Sequence, residues 1–281
     1  MKLLMKNFKL NTMNFKKTQN LTATAILAVA LALTSCQKEN VTPKETFNAN
    51  TGAALADAAY SEVNMATDMG DDAFKNEGCA VVTIDMVAMP HVMTIDYGMG
   101  CVGRDARNRQ GQVIVTFDQA NLDVPGVNIH TSFNNYFVNG RQYTGSVDRH
   151  HDGLNANHNP SYTVTANVTV YEPGGASSNS VFSQQTQEIV AGSSTQTKSD
   201  DVSSFTGTAS GTDINGNSFG ETITSSLIKK RQPGCSFFYV QGVVVNQTVG
   251  QPVKTTDYGT GGCDNLADVT INGNTQTITL Q

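Results

Sequence analysis

The feature that most constrains the fold is an alternation of apolar and polar residues that recurs from Cys79 to the C-terminus. In the stretch 162–170, Val164, Val168 and Val170 fall on one side of an extended chain, while threonine and asparagine fall on the other. This alternation is typical of half-buried strands in an antiparallel sheet. Comparable runs occupy 81–87, 92–97, 112–117, 127–138, 142–147, 181–190, 202–212, 218–228, 237–245, 253–258, 268–271 and 276–280.

The sequence therefore predicts an all-β fold of about thirteen strands. The links are short, so neighbouring runs pair and form an antiparallel meander, either curled as a half-barrel or folded into a sandwich. Three links contain an Asn-Gly pair, at 139–140, 215–216 and 272–273. Both residue types tolerate positive φ, so each pair predicts a tight hairpin turn. The alternative for the middle pair, a calcium loop starting at Asp213, is disfavoured because Thr224 stands where the bidentate glutamate belongs.

The segment before the strands has a different composition. Residues 52–68 are rich in alanine, and Leu55, Ala59, Val63 and Ala66 are spaced to share one face of a helix. We expect one N-terminal helix here, joined to the strands as a single domain over 52–281. Residues 36–51 are polar and lack an apolar period, which predicts a flexible tether.

The first 35 residues predict an export signal. Five lysines and no acid precede an apolar run at 21–33, and this run is too short to span a membrane. Small residues come directly before Cys36. The segment 33–36 resembles the lipobox of bacterial lipoprotein precursors. That resemblance implies cleavage after residue 35 and acylation of Cys36, including a palmitate-type chain, so the expected membrane partner is reached through the lipid anchor.

Charge limits the possible partners. Removing 1–35 removes five lysines and no acid, so the formal charge of −6 becomes −11 for the mature chain. Such an acidic body does not attract nucleic acid electrostatically, and we expect no nucleic-acid partner. Membrane attachment then depends on the acyl chains, at about 0.8 kcal/mol for each buried methylene.

Four cysteines remain after Cys36. The segments beginning at Cys79 and Cys235 form a weak internal repeat, and each closes on an Asp-Tyr-Gly sequence followed by Cys101 or Cys263. Hairpin register places the cysteines of each unit nearly opposite one another, so we predict Cys79–Cys101 and Cys235–Cys263 disulfides in an oxidising compartment. The alternative is that the two hairpins are cross-linked to one another.

The repeat also places Asp96 and Asp257 in equivalent positions. Two carboxylates facing a cleft would suit acid and base roles. A shared structural role, in which each accepts a hydrogen bond from the following glycine amide, is the favoured interpretation.

Side chains that can bind a metal ion are most concentrated in the segment 148–158. His150, His151, Asp152 and His158 carry imidazole and carboxylate donors that bind zinc, nickel or copper, and they are the candidate metal ligands. Adjacent histidines in a strand point to opposite faces, however, so a solvated hairpin is the favoured interpretation and no cofactor is predicted. The motifs of common hydrolases are missing, so no catalytic residues are assigned.

The segments 79–83, 95–98 and 257–263 resemble uncharacterised Bacteroidetes outer-membrane lipoproteins. The resemblance implies an outer-membrane lipoprotein, exposed at the surface or facing the periplasm, and carries no catalytic residue with it. We therefore expect a noncatalytic envelope protein that binds lipid or glycan or has a structural role. A half-barrel favours an acyl chain, and a flat polar face favours glycan, with hydrogen bonds from Thr163, Thr165, Asn167 and Thr169. The alternative is a metal-dependent hydrolase using His150, His151 and His158.

Overall fold

The computed structural model describes residues 79–103, 107–175, 178–195, 197–232, 235 and 238–280. The expected signal peptide, Cys36, tether and N-terminal helix lie outside these residues. Within them the chain forms fourteen strands and one 3-10 turn at Lys198–Asp200. The strands are β1 (Val81–Asp85), β2 (His91–Asp96), β3 (Cys101–Val102), β4 (Asn108–Phe117), β5 (Asn128–Val138), β6 (Arg141–Leu154), β7 (Pro160–Tyr171), β8 (Ser178–Ala191), β9 (Val202–Thr212), β10 (Ser218–Lys230), β11 (Tyr239–Thr248), β12 (Lys254–Thr260), β13 (Leu266–Ile271) and β14 (Asn274–Thr279).

All fourteen strands belong to one antiparallel sheet. Thirteen follow in chain order from β1 to β14, and β3 lies off this path, paired with β4. The expected antiparallel meander is confirmed, because short links join each strand to its neighbour. A sandwich would need two sheets, so that alternative is wrong. The additional strand, β3, arises because the turn after Asp96 returns the chain to the free end of β4, where Cys101 pairs with Arg109.

One face of the sheet carries the core. Val164, Val168 and Val170 are all buried, as their alternation predicts. They belong to one continuous cluster of apolar side chains that lie on the same side of the sheet, from β2 to the end of β14. We call this side the inner face. The threonines and asparagine of β7 lie on the opposite, outer face, where they are half-buried or exposed.

Two of the three Asn-Gly links are two-residue hairpin turns. Asn139 and Gly140 both have positive φ, and so do Asn272 and Gly273. The third link is wider than predicted, because five residues separate β9 from β10. The carboxylate of Asp213 accepts hydrogen bonds from the backbone N–H groups of Asn215 (2.9 Å) and Asn217 (2.8 Å), which stabilise this longer turn.

Both predicted disulfides are present. Cys79 is bonded to Cys101 with a Cα–Cα distance of 5.6 Å, and Cys235 is bonded to Cys263 with a distance of 5.0 Å. The repeat therefore gave the correct pairing. The predicted role of the repeated aspartates is also confirmed: Asp96 accepts from Gly98 N–H at 2.7 Å, and Asp257 accepts from Gly259 N–H at 2.9 Å.

Candidate functional site

The outer face of β8 to β11 carries a concavity. Cross-strand register aligns Asn167, Phe182, Ser210, Gly220 and Gln247 in one row that crosses five strands. A groove of about 460 Å³ lies over this row. Its lining residues are Phe182, Gln184, Thr208, Ala209, Ser210, Gly220, Glu221, Thr222, Val245 and Gln247. We refer to it as the Phe182 groove.

Phe182 is the one aromatic residue among the lining residues of the groove. Its side chain points to the outer face of β8 and the residue is 49% exposed. Val181 and Ser183, the residues before and after it, are buried. An aromatic ring on a polar sheet face offers a flat apolar surface at little conformational cost. Phe182 therefore gives the groove an apolar wall among hydroxyl and amide groups.

Gly220 forms the floor of the groove. A β-carbon built at this position would have no neighbouring atom within 4 Å, and the residue has no positive φ that would demand glycine. The missing side chain leaves a gap in the row between Ser210 and Gln247. The absence of a side chain at Gly220 thus contributes to the depth of the groove.

The groove is lined by uncharged outward groups. Glu221 is the only ionisable lining residue, and its side chain is buried on the inner face, where Asn246 Nδ2 donates to its Oε1 at 2.8 Å. Thr208, Thr222, Gln184 and Gln247 supply hydroxyl and amide groups to the outer side. The chemistry on offer is stacking plus hydrogen bonding to neutral polar groups.

The four predicted glycan-contacting residues of β7 are not among the residues that line the Phe182 groove, although two of them, Asn167 and Thr165, are paired with residues that do. Asn167 is paired with Phe182 across the strands, and Thr165 is paired with Gln184. Thr169 shares a hydrogen bond with the hydroxyl of Ser180 at 3.1 Å, while Thr163 donates to Asp152 at 2.9 Å. The sequence pattern placed polar groups on this face but did not indicate Phe182, Gln184, Gly220 and Gln247 as groove residues; the signal for Phe182 was an aromatic residue among the polar, outward-facing positions of its strand.

A second, smaller concavity of about 250 Å³ lies on the same face over β4 to β7. His130 Nδ1 and Asp148 Oδ1 are 2.6 Å apart across β5 and β6, and both side chains are about half-exposed. His150 Nδ1 lies 2.8 Å from Asn128 Oδ1. The side-chain amide and backbone N–H of Asn128 hold the pKa of Asp118 below its usual range.

The structure separates the four candidate metal ligands. His150 lies on the outer face, 3.9 Å from Asp152 by Nε2 and Oδ1, whereas His151 is buried on the inner face at 3% exposure. His158 lies in the β6–β7 turn with positive φ. The alternation of β6 places the adjacent histidines on opposite faces, and the described residues contain no group of three or more His, Cys, Asp or Glu arranged to hold a metal ion.

His151 has a structural environment. Its ring meets the ring of Tyr162 edge-on with centroids 4.4 Å apart, and Arg149 covers the same tyrosine with Cζ 3.5 Å from the centroid. Its Nδ1 accepts from Gly153 N–H at 3.0 Å. Burial, and then the charge of Arg149, lower the pKa of His151. The neutral ring thus belongs to the packing of the inner face.

Comparisons with known proteins give no relative for this chain. No family model matches it, and neither the curated proteins nor the solved structures contain a match. Among the described residues, no helix is long and apolar enough to cross a membrane.

Proposed function

We propose that this chain is a noncatalytic lipoprotein of the cell envelope that binds a neutral glycan in the Phe182 groove. The observation that carries the proposal is the exposed ring of Phe182 beside the open floor at Gly220, within a row of hydroxyl and amide side chains. A sugar ring has an apolar face of C–H groups and an edge of hydroxyl groups. Phe182 matches the face, and the threonine and glutamine side chains match the edge.

The lining of the groove favours a neutral glycan over a charged one. A uronic acid or sulfated sugar would call for lysine or arginine, and the lining residues include neither. Buried Glu221, already bonded to Asn246, is directed away from the groove. The expected ligand is consequently a chain of uncharged sugars.

The inner face gives less support to an acyl-chain ligand. A lipid carrier needs an apolar cavity, and in the described sheet the apolar inner-face side chains pack against one another in one continuous cluster. The two concavities described above lie on the outer face and are lined largely by polar residues. These observations favour glycan binding within the noncatalytic class.

The envelope location is part of the proposal. Acylation of Cys36 would anchor the protein in the outer membrane, and the tether 36–51 would hold the N-terminal helix and the sheet, curled as a half-barrel, away from the lipid surface. The two disulfides suit an oxidising compartment. Exposure at the surface would give the groove access to external polysaccharide.

The separation of His150 from His151 weighs against the alternative, a metal-dependent hydrolase. A hydrolytic zinc site needs three converging protein ligands, and the described residues offer no such group.

A binding screen tests the proposal. The domain 37–281, purified from an oxidising compartment, is passed over immobilised neutral polysaccharides such as glucan, xylan, mannan and chitin, with alginate and heparin as charged controls. We expect retention on at least one neutral polymer. Phe182→Ala should weaken that binding roughly tenfold. This change corresponds to the loss of an aromatic contact that contributes about 1.4 kcal/mol. Val190→Ala, an exposed outward residue farther along β8, is the matched control.

Two results would count against the function. One is the absence of retention on every neutral polymer, and the other is equal binding by wild type and Phe182→Ala. Retention on the charged polymers alone would also contradict the neutral lining as the recognition surface.

A further inference from the structure

The N-terminal part of the sheet, from β1 to β3, carries an unusual share of exposed apolar surface. Seven of the fourteen large hydrophobic residues that are exposed in the described structure fall between positions 81 and 102. These residues are Val81, Ile84, Met86, Val87, Met89, Met99 and Val102. Single exposed apolar residues are ordinary, but Ile84 on the inner side of β1 and Met86, Val87 and Met89 in the turn that follows form a local concentration typical of a contact surface.

Strand β1 is also an edge of the sheet. It pairs only with β2, so its outer backbone edge has no strand beside it in the described structure. Val82 and Ile84 lie opposite Ile95 and Met93, which are buried on the inner face, yet Ile84 is 51% exposed. The inner-face core therefore ends at β1 with an apolar side chain that the described residues leave half-exposed.

The turn after β1 continues this surface. Val87 is 93% exposed, and Met89 is exposed beside it. The nearest carboxylate, that of Asp85, is held by its own turn, where it accepts from the backbone N–H groups of Val87 (2.8 Å) and Ala88 (3.1 Å). Native edge strands usually bear charges or prolines that prevent pairing, and β1 has only this one engaged aspartate.

We propose that residues 52–68 of the same chain form an amphipathic helix that packs against β1 and its turn. These residues lie outside the described part of the chain, and their stripe of Leu55, Ala59, Val63 and Ala66 provides an apolar face of matching character. Seventeen helical residues span about 25 Å, and the ten residues at 69–78 reach up to about 33 Å. The linker is therefore long enough to return the helix to β1.

Tethering favours this occupant over other partners. A segment joined to Cys79 by a short link has an effective concentration on the order of millimolar at the adjacent strand, whereas a second copy must be captured from solution. The helix would cover Ile84 and close the open end of the inner-face core. This inference is independent of glycan binding, because the Phe182 groove lies on strands β8 to β11 of the outer face.

Photo-crosslinking in the full chain tests the contact. Benzoylphenylalanine replaces Ile84 in one variant and Val249, which is exposed in the turn after β11, in a control. After irradiation in intact cells, crosslinked peptides are identified by mass spectrometry. We expect position 84 to crosslink to residues 52–68 of the same chain, and position 249 to give no such product.

A pair of helix variants makes the test specific. Val63→Glu places a charge on the proposed contact face and should lower the yield at position 84 at least fivefold. Ser61→Glu places the same charge on the opposite face and should leave the yield unchanged. Crosslinks from position 84 to another copy, to lipid or to other parts of the chain, or equal yields in both variants, would overturn the proposal.

Discussion

Phe182 and Gly220 lie in the same cross-strand row, two strands apart, with Ser210 between them. The strand spacing puts their backbones about 10 Å from one another, so the ring forms a wall and the glycine forms the floor of one groove. This relationship links the meander to its proposed function, because a polar sheet face gains a binding site from one large and one missing side chain.

Filling the floor should weaken glycan binding without harming the fold. Gly220→Val places a branched side chain where a β-carbon meets nothing within 4 Å, and valine suits a strand better than glycine does. We expect affinity for the retained polysaccharide to fall at least tenfold while the urea midpoint stays equal or rises. Thr206→Val, on an exposed position of β9 outside the groove, should bind normally; equal affinity in both variants would exclude Gly220 from the site.

Glycine has a different role at Gly145, which should be intolerant of substitution. Its φ is +101°, and a β-carbon there would clash with the carbonyl oxygen of Asn167 on β7. Gly145→Ala should cost at least about 2 kcal/mol of unfolding free energy in urea titration. Gly220→Ala is the control and should change stability by less than about 1 kcal/mol. Equal losses of stability in Gly145→Ala and Gly220→Ala would show that the close approach of β7 to β6 does not require glycine at position 145.

Each disulfide should stabilise the sheet to a similar extent. The sequence separations, 22 and 28 residues, give loop-closure contributions of about 3 kcal/mol each in the chain-entropy model. The double replacement Cys79→Ala with Cys101→Ala, and the equivalent pair at Cys235 and Cys263, should each lower the unfolding free energy by that amount. The unfolding free energy of the wild-type protein with both disulfides reduced is measured for comparison. A loss below about 1 kcal/mol for either pair would contradict this account.

His151 should make stability fall in mild acid. Its pKa is lowered in the folded state, so the unfolded chain binds the proton first once the pH drops below about 6.5. Stability is full above that pH and declines toward the folded pKa, by at most about 1.4 kcal/mol for each pH unit. Urea titrations at pH 7.5 and 5.0 should show this decline.

The matched variants identify the histidine. His151→Gln should reduce the difference in unfolding free energy between the two pH values. His158→Asn, at an exposed turn position with positive φ, should retain the difference. If both variants behave like wild type, another group is responsible for the decline.

The sequence predicted the sheet well because period-two alternation depends on burial alone. Val164 and Val170 are buried as expected, and the repeat gave both disulfides. The groove could not be predicted because it depends on register: Phe182 and Gly220 are 38 positions apart and become neighbours only through Ser210. The turn at Asp213 was wider than expected because a side-chain carboxylate competes with the hairpin geometry.

An NMR titration tests the central claim most directly. The isotope-labelled domain is titrated with an oligosaccharide of the polymer retained in the binding screen, and amide shifts are followed residue by residue. We predict a contiguous set of shifted amides at Phe182, Ser210, Gly220 and Gln247, with saturation at one ligand. Shifts confined to the His130–His150 concavity or to the inner face, or none at saturating ligand, would contradict the Phe182 groove as the glycan site.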